Sequence, residues 1–507
     1  MRETLLAAVC LSALLGAASA AAQDAPTQTL RIALREDADL LDPTLGRTVM
    51  GRIVFAGLCD KLFDIDEKLN IVPQLATGYE WTDGKTLILH LRDGVLFHDG
   101  TKMDAAAVKY SLERHMTLSG SSRRAEVSTI DQVIVADPLT VRVTLKSPTS
   151  PLIAQFTDRA GMIVSPKAAE AAGKDFALKP VCAGPFKFTE RVAQDRIVLD
   201  RFPEYWDARN IHLARVIYQP ITNTATRLAN LQAGAIDLAE QVVPSDLEAV
   251  RKNPRLKVAE SDGLGYQSVT WNTAHGPRAQ FALGQNALVR KAFELSIDRE
   301  AAIQVVYAGA YTPTAQAVAA SSPYYAKEVK APARDVARAK ELLRQAGVKL
   351  PVTFTMMTPT NSDTMQLAEV MQAMSSEAGF DMKIQATEFS SSLDAADRGD
   401  FEGYLVAWSG RVDPDGNLYN FVHSSGPLNY GRYANADIDQ MLAQARTEIA
   451  VPARQALYAN VAAKVAVDQP LMYIFDPKNI VGMSVKVNGF RPISDGLIRL
   501  QGVTKAP

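Results

Sequence analysis

The segment Trp408-Ser409-Gly410-Arg411-Val412-Asp413-Pro414-Asp415-Gly416 concentrates side chains that could do chemistry. The guanidinium of Arg411 could hold a carboxylate or phosphate through two parallel hydrogen bonds. It could equally pair with Asp413 or Asp415 and shape its own loop, because a buried arginine needs a nearby anion. Asp413 and Asp415 have the chemistry of an acid–base pair. Asp-Pro-Asp-Gly is also a type I turn sequence, with proline second and glycine fourth, and the turn is the preferred reading. Trp408 offers a flat wall to an apolar or cationic ligand group, or packs into a core at a strand end. Glu36 and Glu388 could receive an amine or remain solvated loop charges. Asn429, Tyr430 and Tyr433 could hydrogen-bond a ligand, although Gly431 between them suits a turn as well. Trp271 is a further candidate, as a ligand contact or as packing.

Elements that could bring these residues together are visible in the hydrophobic pattern. Residues 352–357 (VTFTMM) form a strand, and residues 363–378 a helix with Leu367, Val370, Met371 and Met374 on one face and Gly379 as its stop. Residues 380–387 make a second strand, 392–397 a short helix and 403–408 a third strand. This alternation is the order of a parallel α/β sheet. Ligands of open α/β sheets sit beyond the carboxyl ends of the parallel strands. Here those positions are 358–361, Glu388 and 408–415. An early strand, TLRIAL at Thr29–Leu34, ends likewise at Arg35, Glu36 and Asp37. Further strands are expected at residues 86–91, 95–98, 132–135 and 140–145, and a helix at 105–115 behind the cap Asp104.

Several chemistries lack their motifs. The six histidines show no metal-ligand spacing, and no HExxH occurs. There is no GxSxG, SxxK, P-loop or GxGxxG, so no cofactor is expected. With 54 basic and 56 acidic residues, the chain carries no electrostatic footprint for nucleic acid or anionic lipid. Residues 1–22 combine Arg2, an apolar run and small residues ending in A-x-A patterns. They read as a cleavable signal peptide, which implies export to a Gram-negative periplasm. Of the three cysteines, Cys10 lies in that segment. Cys59 and Cys182 are left either as a disulfide or as two buried thiols.

Several segments together carry a resemblance. Tyr79-Glu80-Trp81-Thr82-Asp83-Gly84-Lys85-Thr86 is followed by LHLRDGVLFHDGTKMDAAAVKYSLER at 89–114. AGPFKF at 183–188, FPEYW at 202–206, Trp271-Asn272-Thr273 and VRKAFELSIDRE at 289–300 come next, in order. The set resembles family 5 extracellular solute-binding proteins. These are periplasmic receptors of dipeptide-, oligopeptide- and nickel-type ATP-binding-cassette (ABC) importers. The resemblance implies an α/β periplasmic-binding-protein fold of type II (cluster C), with two lobes, a hinge and an inserted domain. Carried onto this chain, lobe I comprises residues 23–57, 183–269 and 478–507. The inserted domain is 58–182, and lobe II is 270–477. Crossovers are expected near Trp271 and Asp476.

The resemblance further implies a monomer that is not an enzyme. It would close on a short peptide or another small polar solute and deliver it to an inner-membrane permease. Peptide receptors of the family place an Asp, for the ligand ammonium, where this chain has Arg411. Dipeptide-type members place an Arg, for the ligand carboxylate, at a position matching Thr358. Both anchors differ here, so the expected ligand is peptide-like or bears an acidic group that Arg411 contacts, with short peptides held by different anchors. A hydrolase on the same scaffold and a metal-chelate receptor are the alternatives.

Overall fold

The computed structural model describes residues 28–507; the expected signal peptide lies outside them. Among these residues no helix is long and apolar enough to cross a membrane.

Three larger sheets organise the chain. The first has seven strands, in the order Leu256–Asp262, Lys478–Ser484, Leu238–Ala239, Thr29–Leu34, Arg215–Pro220, Arg196–Arg201 and Phe186–Val192. Thr29–Leu34 runs parallel to both of its neighbours. Its side chains Leu30, Ile32 and Leu34 are buried in one core with Phe55 and Leu58 of the helix Val49–Leu58. That helix starts where Thr48 accepts a hydrogen bond from the Gly51 N–H.

The second sheet runs in the order Thr312–Pro313, Leu471–Asp476, Tyr266–Trp271, Gly403–Trp408, Val352–Pro359 and Phe380–Thr387. Val352–Pro359 is parallel to both Phe380–Thr387 and Gly403–Trp408. The helices Ser362–Ser376 and Phe389–Asp397 make the crossovers between them, as the sequence pattern predicts. Trp271, Phe293, Phe354 and Phe380 meet edge to face beneath this sheet, with neighbouring ring centroids 5.3–5.7 Å apart.

The third sheet is antiparallel, with the order Ala76–Asp83, Thr86–Leu91, Thr140–Leu145 and Ile130–Asp137. Helix Ala105–Thr117 covers it, capped by Asp104 as expected. Residues 95–98 do not form the expected strand. The Asp99-Gly100 turn follows too soon, and only one isolated bridge, Leu96 to Lys102, is made. A disulfide joins Cys59 to Cys182. These residues flank the segment that carries the third sheet, so the bond ties its two ends together.

The chain passes between the first and second sheets at residues 263–265 and again at Pro477. The expected boundary at 269/270 would split Tyr266–Trp271. That strand instead belongs wholly to the second sheet, and each of its residues is buried. The crossing can be this tight because two of its three residues, Gly263 and Gly265, are glycines. A Cβ on Gly265 would lie 1.8 Å from the Trp408 carbonyl oxygen, and one on Gly263 would lie 2.5 Å from that of Pro477.

Candidate ligand-binding site

The ends of the parallel strands face each other across a cavity of about 340 Å³. From the first sheet, Arg35 and Glu36 follow Thr29–Leu34, and Glu240 follows Leu238–Ala239. From the second, Asn361 and Asp363 follow Val352–Pro359, and Trp408 ends Gly403–Trp408. The rule that ligands sit beyond parallel strand ends therefore describes the geometry.

Contacts span the cleft. Asn361 caps helix Ser362–Ser376 through its Oδ1 and donates from Nδ2 to Glu36 Oε1 at 3.0 Å. Arg47, just before the Thr48 cap, pairs with Asp397 at 2.7 Å and donates to the Tyr430 hydroxyl at 3.3 Å. Arg52 reaches Ser409 Oγ at 3.0 Å.

Two groups of charges lie at the cavity, lined directly by Arg35, Glu36, Glu240 and Asp363 of the first and by Arg123, Glu126 and Arg159 of the second. In the first, three carboxylates, Glu36, Glu240 and Asp363, surround Arg35, with Arg227 nearby. Glu240 Oε1 lies 3.9 Å from Arg35 Nε, while its buried Oε2 has no hydrogen-bond partner. Burial pushes the Glu36 carboxyl up to about 7. Arg35 opposes that rise and Glu240 adds to it. In the second group, Arg52, Arg123, Arg159 and Arg411 share two acids, Asp158 and Glu126. Arg123 Nε and Arg159 Nε are buried without hydrogen-bond partners, Arg159 Nε lying 3.8 Å from Asp158 Oδ1. Burial and the like charges of Arg123, Arg411 and Arg52 hold the Arg159 guanidinium well below its ordinary pKa. Gln267, from the middle strand, adds a buried Nε2 donor without a partner.

The candidates named from sequence divide accordingly. Glu36, Trp408 and Tyr430 line the cavity. Trp408 donates from Nε1 to Asn417 Oδ1 at 2.9 Å and meets Phe421 edge-on, so its ring is held in place. Arg411 stands behind it, its guanidinium 4.4 Å from the Trp408 ring centroid. Its Nε pairs with Asp158 Oδ2 at 2.6 Å. The internal partner is thus neither Asp413 nor Asp415. Asp413 pairs with Arg454 at 2.9 Å, and Asp415 with Arg446 at 2.7 Å. The Asp413 carbonyl accepts from the Gly416 N–H, which closes the expected turn. Asp413 borders an outer groove and not the central cavity.

Five candidates are held away from the cavity, among them Tyr433, whose hydroxyl donates to Asp468. Thr358 is fully buried and donates to the Met356 carbonyl, because its strand continues to Pro359. Glu388 is exposed and caps helix Phe389–Asp397 through the Ser391 N–H. Asn429 is buried and spends its amide on the backbone of His423 and Tyr433. Trp271 is 1% exposed, inside the aromatic core of the second sheet.

Sequence reading missed Glu240, Gln267, Arg47, Arg123 and Arg159. Glu240 obeys the same strand-end rule as Glu36, but its strand has only two residues and shows no period. Arg123 and Arg159 come from the segment bearing the third sheet, which the strand-end rule does not cover. Among the described residues no cluster of three or more His, Cys, Asp or Glu side chains could hold a metal ion.

The fold and the closed cleft define a two-lobed binding protein, and comparison with known proteins agrees. The model of the bacterial extracellular solute-binding proteins, family 5, matches residues 70–429. The glutathione-binding protein GsiB of Pectobacterium atrosepticum is 28% identical, covering 99% of this chain and 98% of that protein. The periplasmic binding protein DppA of Helicobacter pylori, solved with the peptide STSA, superposes with a TM-score of 0.87 at 26% identity. That match covers 94% of this chain and 98% of DppA. AgaA from A. tumefaciens R10, solved with agropinic acid, gives 0.86 at 25% identity, over 94% and 99%. The chain belongs to the family 5 extracellular solute-binding proteins. It is a substrate-binding receptor of an ABC importer and not an enzyme.

Proposed function

We propose that the inter-lobe cavity captures a small zwitterion of peptide character, of dipeptide to tripeptide size, with glutathione among the candidates. The observation that carries this reading is the presence, in one cavity, of an acidic and a basic group that each keep a buried polar atom without a hydrogen-bond partner. Glu240 Oε2 and Glu36 supply acceptors for an ammonium, and Arg123 and Arg159 supply donors for a carboxylate. A volume of about 340 Å³ is at the small end of ligand pockets, which favours a compact solute. Trp408 and Tyr430 would wall the ligand between these groups. The glutathione-binding relative and the peptide-bound structural neighbour support the class.

On this reading Arg411 acts behind Trp408, without touching the ligand. Residues 1–22 direct export to the periplasm, where the protein works as a monomer that hands its solute to the permease. Calorimetric titration with glutathione, Ala-Ala and Ala-Ala-Ala tests the proposal. Saturable binding that weakens about ten-fold or more in both Glu240→Gln and Arg123→Ala is expected, since each removes one charge partner of a desolvated ion pair. Binding that neither substitution changes would refute the assignment.

A further inference from the structure

A second and larger space, of about 800 Å³, lies outside the cavity. It runs between the edge strand Ala76–Asp83 of the third sheet and the segments around Tyr324 and Val451. Its walls include Tyr79, Trp81 and Ile71, which are 45%, 38% and 37% exposed, and Ile449 at 74%. The groove thus presents a row of exposed apolar side chains, with Lys68, Asp83, Asp413 and Arg454 among its other walls.

Very little separates the two. A void of about 20 Å³, enough for one water molecule, lies between them. It shares Glu126 and Asn420 with the inner cavity, and Ala154, Arg411 and Asp413 with the outer groove. The Arg411–Asp158 pair borders this void. Further contacts hold Arg411 in that position. Its N–H donates to Asn417 Oδ1 at 2.8 Å, and Nη1 donates to the Gly410 carbonyl at 2.7 Å. Its stem lies against Gly416, where a Cβ would come within 2.6 Å of Arg411 Cγ. Arg411 Nη2 and Asn420 Oδ1 are buried without hydrogen-bond partners, and both residues line the void.

We propose that the Arg411–Asp158 pair is the length stop of the binding site. With Glu126 and Asn420 on its inner side, it separates the inner cavity from an outer compartment that would otherwise accept the continuing residues of a longer peptide. This rests on the peptide-like ligand class proposed above. Arg411→Ala suits the test because Asp158 keeps Arg52 at 3.1 Å and Arg159 beside it, so no buried charge is orphaned.

The experiment is calorimetric titration of the wild type and Arg411→Ala with alanine peptides of two to six residues. The wild type should bind the two- and three-residue peptides and lose about ten-fold or more in affinity beyond them. The variant should gain about ten-fold for the five- and six-residue peptides, with less than about three-fold change for the short ones. A wild type that already binds six residues as well as two, or a variant that keeps the wild-type preference, overturns the proposal. If neither protein binds any peptide, the ligand class is wrong, and a crystal structure of Arg411→Ala decides the stop by itself. One continuous space from the inner cavity to the groove upholds it; side chains that close the gap overturn it.

Discussion

The two groups of charges around the cleft are built on opposite plans. Around Asp158, one carboxylate is gripped by Arg52 at 3.1 Å and Arg411 at 2.6 Å, with Arg159 at 3.8 Å. Next to it Asp413 and Asp415 each have a dedicated arginine. Around Glu36 and Glu240 the opposite holds. The acids outnumber the cations close to them, and one buried carboxylate oxygen has no partner. The lesson is that proximity to a crevice does not make a charge a ligand contact. What separates the two plans is the sign of the excess: four arginines share two acids around Asp158, while three carboxylates face two arginines around Arg35. Leaving a buried acceptor unpaired costs about 1–3 kcal/mol, a cost that a ligand can relieve.

The largest effect is expected for Asp158→Ala, which strips the shared anion from Arg52, Arg159 and Arg411. A loss of about 3–5 kcal/mol in urea denaturation follows from orphaning buried charges. If instead the change is neutral, the arginines have other partners and the contrast between the two groups fails. Glu240→Gln should alter folding stability by no more than about 1 kcal/mol in the same assay while still weakening ligand binding.

A pH titration sharpens the same contrast. Glu36 titrates at about 7 in the folded protein, raised from 4.5 mainly by burial. A carboxyl raised on folding stabilises the protein while protonated. Its contribution is fully present below about pH 4.5 and is lost as the pH rises through about 7. An ammonium ligand requires the carboxylate, so affinity should move the other way. It should fall by up to about ten-fold per unit as the pH drops below about 7. Glu36→Gln should flatten both dependences, which thermal melts and titrations between pH 5 and 8 would read. The smallest effect belongs to Glu388→Ala. Loss of the cap on helix Phe389–Asp397 should cost about 1 kcal/mol of stability and leave ligand affinity unchanged.

Much of the fold was legible because period and punctuation encode it locally. The strand–helix–strand–helix–strand run from Val352 to Trp408 is read from side-chain spacing and the stop at Gly379. So is the cap at Asp104. The crossover at Gly263–Gly265 was placed a few residues late. Tyr266–Trp271 is buried on both faces, so it lacks the alternation that would mark where it begins. Of the candidate site residues, Glu36, Trp408 and Tyr430 were placed at the cavity by strand ends and the adjoining loop. Trp271 and Asn429 were not separable from them by type, because an aromatic ring or an amide suits a core and a ligand equally. The difference lies in what surrounds each, which spacing does not record.

Residue order and residue type alone determined the layered α/β architecture, the early strand ending at Glu36, and the family through its ordered motifs. These depend on local propensity and periodic burial, which act over short stretches of chain. Only the tertiary structure decided that Arg411 answers to Asp158, that Glu240 is short of a partner, and that Cys59 meets Cys182. Each of these is a statement about charge balance or distance between segments far apart in sequence. Coulombic and desolvation energies depend on that three-dimensional neighbourhood and not on position along the chain.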